Sequence, residues 1–148
     1  MNRERLEQLA GLERALGYKF NDPSFLDCAL THRSFANENP DLMVQDNERL
    51  EFLGDAVLTL CITDMLMKKF PECTEGDLSK IRSTIVNERP LAGLARELRV
   101  GDYLLLGKGE DISGGRSKSS LLANALEAII AAKRMGACRC AVKNPKGT

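Results

Sequence analysis

Hydrophobic positions recur at helical spacing along nearly the whole chain. Leu6, Leu9, Leu12 and Leu16 predict an amphipathic helix from Arg3 to Leu16, stopped by Gly17. Asp22-Pro23 sets an N-cap before a proline at the first helical position and opens a helix through Phe25, Leu26, Ala29 and Leu30. Residues 34–45, with Asn37, Asn39 and Pro40, read as a loop. A long helix is predicted from about Asp46 to Phe70, ending before Pro71. Thr74-Glu75-Gly76-Asp77 caps another, carrying Leu78, Ile81 and Ile85, and a helix led by Pro90 carries Leu91, Leu94, Ala95 and Leu98. Gly101 to Ser117 is glycine-rich and polar after Tyr103-Leu104-Leu105-Leu106, and is expected to be a mobile loop. Ser119 or Ser120 is expected to cap the last strong helix, from Leu121 to about Lys133. No stretch alternates apolar with polar residues, and nothing repeats at a fixed period. The expected fold class is all-α.

One predicted helix breaks its own apolar pattern. In Asn47-Glu48-Arg49-Leu50-Glu51-Phe52-Leu53-Gly54-Asp55-Ala56-Val57-Leu58, Glu48, Glu51 and Asp55 are spaced i, i+3, i+7 and share one narrow stripe. The flanking Leu50, Phe52, Leu53, Ala56, Val57 and Leu58 are expected to be mostly buried. Like charges at this spacing destabilise an isolated helix by roughly 0.2–0.5 kcal/mol per pair. Desolvating them costs more unless a cation neutralises them. Hard carboxylate oxygens clustered in this way suit Mg²⁺ or Mn²⁺; a plain solvated acidic face is the alternative.

The last helix carries a second polar pair. Leu121 to Ile130 is apolar except for Asn124 and Glu127, which are i, i+3 and share a face. Such a pair often serves as an interhelical hydrogen-bonding device. Set against the acidic stripe, it would instead complete an oxygen-ligand cage from two facing helices, as in other all-α metal sites. Glu51, Asp55, Asn124 and Glu127 would then offer three anionic oxygens and one amide oxygen to a hard divalent cation.

Composition narrows the setting. The chain has 148 residues, one domain's worth, and 43% hydrophobic residues, enough for one core. Aromatics are 5% and Trp is absent, so no base-stacking platform is evident. The 21 basic and 21 acidic residues balance, so net charge does not by itself indicate nucleic acid. Residues 1–72 hold 8 Lys/Arg against 13 Asp/Glu, and residues 73–148 hold 13 against 8, which could pair a cation site with an anionic-substrate surface or arise by chance. The amino end opens a charged amphipathic helix and not a signal peptide. The longest apolar stretch, around Ala56 to Thr63, is far below the roughly 18 residues a membrane span requires. Of the five cysteines, Cys28 and Cys61 sit on apolar helical faces and are expected in the core; Cys138-Arg139-Cys140 lacks a second pair at zinc spacing. These features suggest a reducing, cytoplasmic setting.

The twelve-residue acidic run resembles the signature of the ribonuclease III family of double-stranded RNA endonucleases. Other blocks resemble it in the same order: Ala29-Leu30-Thr31-His32-Arg33-Ser34, Glu75-Gly76-Asp77-Leu78-Ser79, Gly114-Gly115-Arg116-Ser117-Lys118, and Ser120-Leu121-Leu122-Ala123 leading into Glu127-Ala128. The resemblance covers residues 1 to about 132. It implies a helical endonuclease domain, a homodimer, no membrane association, and Mg²⁺-dependent phosphodiester hydrolysis (Mn²⁺ able to substitute) that leaves 5′-phosphate and 3′-hydroxyl ends. By position, Glu51 is implied as a metal ligand, Asp55 as a catalytic and ligating carboxylate, and Glu127 as ligand and most critical acid. Asn124 stands where many relatives carry Asp, which keeps an oxygen ligand and removes a charge. Glu48 and Glu75 match further acidic positions of the cleft, and Phe52 would face the partner subunit. His32, the one histidine, fits a structural, hydrogen-bonded role better than general-base chemistry. Duplex RNA would be recognised through its shape, phosphates and 2′-hydroxyls. Lys80, Arg82, Arg116 and Lys118 are candidate backbone contacts, or ordinary surface charges. Processing of ribosomal precursor, messenger and transfer RNA is what the resemblance suggests.

Beyond Ala132 the chain departs from the family pattern. Residues 133–148 form a basic, Gly/Pro-containing tail that reads as a truncated or frame-altered end, and no double-stranded RNA-binding domain follows. A non-catalytic dimeric helical module that binds RNA or protein, or an inactive fragment, is therefore the alternative. Metal-dependent cleavage of duplex RNA, lost in Glu127→Gln, separates the two.

Overall fold

Local caps set most of the helix boundaries. α1 (Arg3–Leu16) opens with the Asn2 side chain accepting from the Arg5 N–H and closes on Gly17 in the left-handed region. α2 (Pro23–Ala29) opens on Asp22, whose carboxylate accepts from the Ser24 N–H. α5 (Glu75–Ile85) carries a reciprocal capping box between Thr74 and Asp77, and α6 (Glu88–Glu97) is capped by Asn87. The two longest helices are α4 (Glu48–Lys69) and α8 (Ser119–Arg139). The structure, a computed structural model, describes residues 1–139; the remainder of the tail, Cys140 included, lies outside the described residues.

α8 is the centre of the fold. α2, α4 and α6 all pack on it, the contact with α4 being the most extensive. Leu122, Ala125, Leu126, Ala128, Ile129 and Ala132 are buried there, in one cluster with Leu9, Leu12, Leu26, Leu30, Ala92, Ala95 and Val100. A helix that is apolar on nearly all sides has to be covered on those sides. Each fully buried Leu contributes roughly 1.5–3 kcal/mol, so α8 and its neighbours account for much of the stability. The all-α expectation holds: among the described residues the sole sheet-like pairing is an isolated parallel bridge between Thr31 and Leu105. There the His32 N–H donates to Leu105 O at 3.0 Å and the Leu105 N–H to Leu30 O at 2.9 Å.

Several sequence expectations are corrected. Residues 34–45 are not all loop: α3 (Arg33–Glu38) forms because the His32 ring caps it, and Pro40–Leu42 makes a 3-10 turn. The Gly101–Ser117 segment is not a free loop. It holds the 3-10 turns Val100–Tyr103 and Gly115–Ser117 and the short helix α7 (Lys108–Ile112). Leu104 and Leu106 anchor it in the core, and the Arg116 guanidinium donates to Gly101 O and Leu104 O at 3.1 and 2.8 Å. α8 begins earlier than predicted, with the Leu122 N–H donating to Lys118 O, so Ser119 and Ser120 lie inside the helix; it also continues past Lys133. Cys61 is exposed, and Cys28 is half-buried, its thiol donating to Asp46 O.

The acidic run's apolar flank is the largest departure. Within α4 only Gly54 and Leu66 are buried in the single chain. Phe52 is 83% exposed and Leu60 70%. Apolar groups left in water on one helix mark a contact surface. At the far end of α4, Ile62, Met65, Phe70, Ile81 and Ile85 line an open apolar groove of about 540 Å³ between α4 and α5.

Candidate active site

The α4–α8 crossing assembles the candidate acids, and Gly54 permits it. A Cβ at Gly54 would overlap the Glu127 carbonyl and stand 3.0 Å from Glu127 Cα. Backbone therefore touches backbone at the point where Glu51, one turn before Gly54, and Asp55, the residue after it, face Glu127. The sequence reading passed over Gly54, although a glycine inside a strong helical pattern costs about 1 kcal/mol against alanine and so indicates a close approach.

The crossing has an electrostatic consequence. The Glu127 carboxyl is pushed up to about 7, first by burial and then by the charges of Asp55 and Glu51. Glu51 is also raised, by burial and then by Glu48 and Asp55. Glu51 and Glu127 are half-buried and Asp55 is exposed, so the cluster opens to solvent on one side. Among the described residues, no three His, Cys, Asp or Glu side chains stand close enough to hold an ion in this arrangement. The donor chemistry nevertheless fits a hard cation: three carboxylates share one neighbourhood with no basic group among the causes of the Glu127 shift. Asn124 lies one turn before Glu127 on α8 and is half-buried.

The remaining candidates fall elsewhere. Glu48 is exposed and paired with Arg33 at 3.2 Å, and Glu75 is exposed in the first turn of α5. Lys80 is exposed on α5. Arg82 donates to Thr63 Oγ1 at 2.9 Å and holds α5 to α4. Arg116 makes a two-pronged pair with Asp111 in addition to its carbonyl contacts, and Lys118 approaches Glu110 at 3.6 Å. His32 stands at the start of α3: its Nδ1 accepts from the Ser34 N–H at 3.2 Å and lies 2.8 Å from Ser34 Oγ. That Oγ accepts from the Gly107 N–H. Burial lowers the His32 pKa, which favours the neutral ring these contacts require. Its role in the described structure is architectural.

The chain belongs to the ribonuclease-III-like family, whose model matches residues 22–139. It is similar to ribonuclease 3 of Syntrophobacter fumaroxidans, at 57% identity over 123 residues, covering 83% of this chain and 51% of the relative. It thus spans about half the length of the curated relatives it matches. Two structures of the nuclease domain of ribonuclease III from Campylobacter jejuni share its fold. One has a TM-score of 0.80 at 46% identity, covering 86% of this chain and 85% of that one. The other has a TM-score of 0.78 at 42% identity, covering 94% and 97%. Among the described residues, no helix is long and apolar enough to cross a membrane.

Proposed function

We propose that this domain is a double-stranded RNA endoribonuclease using Mg²⁺, or Mn²⁺ in its place, to hydrolyse phosphodiester bonds to 5′-phosphate and 3′-hydroxyl ends. The observation that carries the reading is the α4–α8 crossing, where Glu127 resists ionisation because it is buried beside Asp55 and Glu51. A site with unfavourable negative charge is stabilised by a cation. Glu51, Asp55, Glu127 and the Asn124 amide oxygen are the proposed ligands. The bound cation would neutralise phosphate charge and make a coordinated water more acidic. Asp55 and Glu127 are the proposed catalytic carboxylates. The exposed side of Asp55 leaves the cluster open to a substrate phosphate, while the apolar packing of α8 holds Glu127 from behind. Glu48 and Glu75 are assigned supporting roles, and Lys80, Arg82, Arg116 and Lys118 contacts to the RNA backbone. Of these four, Lys80 carries no intramolecular tie comparable to those of the two arginines.

The proposed assembly is a homodimer, which the exposed Phe52, Leu60, Met65 and Met67 of α4 support. One of the Campylobacter structures is described as flexible in a region involved in dimer formation. Two sites related by a twofold axis would cut both strands of a duplex. The proposed setting is cytoplasmic, with ribosomal precursor, messenger and transfer RNA as substrates. Incubation with long duplex RNA and Mg²⁺, alongside Glu127→Gln, tests the enzyme reading. Metal-dependent cleavage by the unmodified chain and its loss in the variant are expected; no cleavage, or equal cleavage by both, refutes it.

A further inference from the structure

We propose that Asn47 is a positioning residue that fixes the height of the α4 carboxylates against Glu127, an inference that rests on the cation reading above. Asn47 is 4% exposed, one of the few buried polar side chains. It occupies the N-cap position of α4, yet its side chain makes no cap hydrogen bond. That service falls to Asp46, whose Oδ1 accepts from the Glu48 N–H at 3.1 Å. The Asn47 amide instead reaches back to α2: Nδ2 donates to Ala29 O at 3.0 Å. Its backbone N–H donates to Thr31 O at 2.9 Å, and its carbonyl accepts from the Glu51 N–H at 2.8 Å. A single buried residue thus ties the C-terminal end of α2 to the peptide of a proposed ligand.

The geometry gives that tie its meaning. α2 and α4 both pack on α8. Gly54 sets the closest approach of α4 to α8 within their extensive contact. Asn47 supplies a second fixed point seven residues earlier, referred through α2 to the same α8. Glu51 lies between the two points, and Asp55 adjoins Gly54. Residues that hold ligands in place typically carry about 10–100-fold of metal affinity without touching the ion.

The test compares Mn²⁺ binding by the whole 148-residue chain, measured calorimetrically and without RNA, with that of Asn47→Ala and Asn47→Asp. Asn87→Ala, which removes the α6 cap, serves as the stability control. About tenfold weaker Mn²⁺ binding is expected in both Asn47 variants, with the control unchanged. Asn47→Asp is the sharper arm, since its added negative charge alone would tighten cation binding; if Asn47→Ala does not fold, this near-isosteric variant decides. Undiminished binding in the folded Asn47 variants, or equal weakening in Asn87→Ala, overturns the inference. Absence of Mn²⁺ binding by the unmodified chain refutes the cation reading and this inference together. Weakened binding by the variants of a chain that never cleaves RNA upholds the positioning role while the enzyme reading falls.

Discussion

Gly54→Ala reverses the sign that helix propensity alone would give. In a free helix the change stabilises by about 1 kcal/mol. Here the new Cβ would overlap the Glu127 carbonyl and come within 3.0 Å of its Cα, both backbone atoms that cannot rotate away. Carbon atoms pack at about 3.5–4.0 Å, so α4 and α8 would have to part by on the order of 1 Å. Overpacking of this kind costs about 1–3 kcal/mol, sometimes more, and the propensity gain offsets only part of it. Net destabilisation of about 1–2 kcal/mol is expected, or a fall in Tm of a few degrees for a domain of this size. Gly93→Ala provides the counterpart: it too lies inside a helix, α6, but a Cβ there meets nothing within 4 Å. Urea unfolding of both variants should show Gly54→Ala less stable and Gly93→Ala equal to or more stable than the parent. A stabilised Gly54→Ala would refute the argument that backbone contact sets the crossing.

Other outcomes follow from the same geometry. Glu127 ionises near 7 in the folded chain and near 4.5 when unfolded, so the native state holds the extra proton between these values; metal-free stability should fall as pH rises through that window and level off above it, and Mn²⁺ should raise Tm more at pH 8 than at pH 5.5. A Tm that climbs with pH through that window in the absence of metal, once other groups are controlled by Glu127→Gln, would contradict the raised pKa. Arg116→Ala removes the hydrogen bonds to Gly101 O and Leu104 O and the Asp111 pair, so amide exchange over residues 101–117 should quicken while α1 stays protected. Phe52→Ala should leave the helical content and monomer fold intact, because the ring is 83% exposed, yet shift sedimentation toward monomer; an unchanged dimer would remove Phe52 from the proposed interface.

Much of this architecture was legible in the chain, and the failures share a physical cause. Caps are local: Asp22-Pro23, Thr74 with Asp77, and Gly17 announce helix ends through short-range hydrogen bonds and backbone preference, and the structure keeps them. The acidic stripe and the Asn124–Glu127 pair were visible because helical periodicity fixes which residues share a face. Tertiary partners were not visible. Arg116 looked like a surface cation because nothing near it in sequence reveals the two carbonyls it reaches. The segment around it looked mobile because its glycines suggest freedom, yet a Cβ at Gly101 would overlap the Arg116 carbonyl. Cys61 looked like core, and the apolar pattern put Phe52 there too while the family resemblance turned it toward a partner subunit, because apolarity does not say whether a side chain is covered within one chain.

The central place of α8 also governs the order in which the molecule can form. Chains are made from the amino end at about 5–20 residues per second. α2, α4 and α6 are therefore synthesised well before residues 119–139 are available, yet these three helices find their common partner only in α8. Until then α2, α4 and α6 hold sticky surfaces with little to cover them, the state in which nascent chains aggregate or recruit chaperones. The same late step unites Glu127 with Glu51 and Asp55, so the candidate site and the core come into being in a single event. A half-made chain of this design would carry neither.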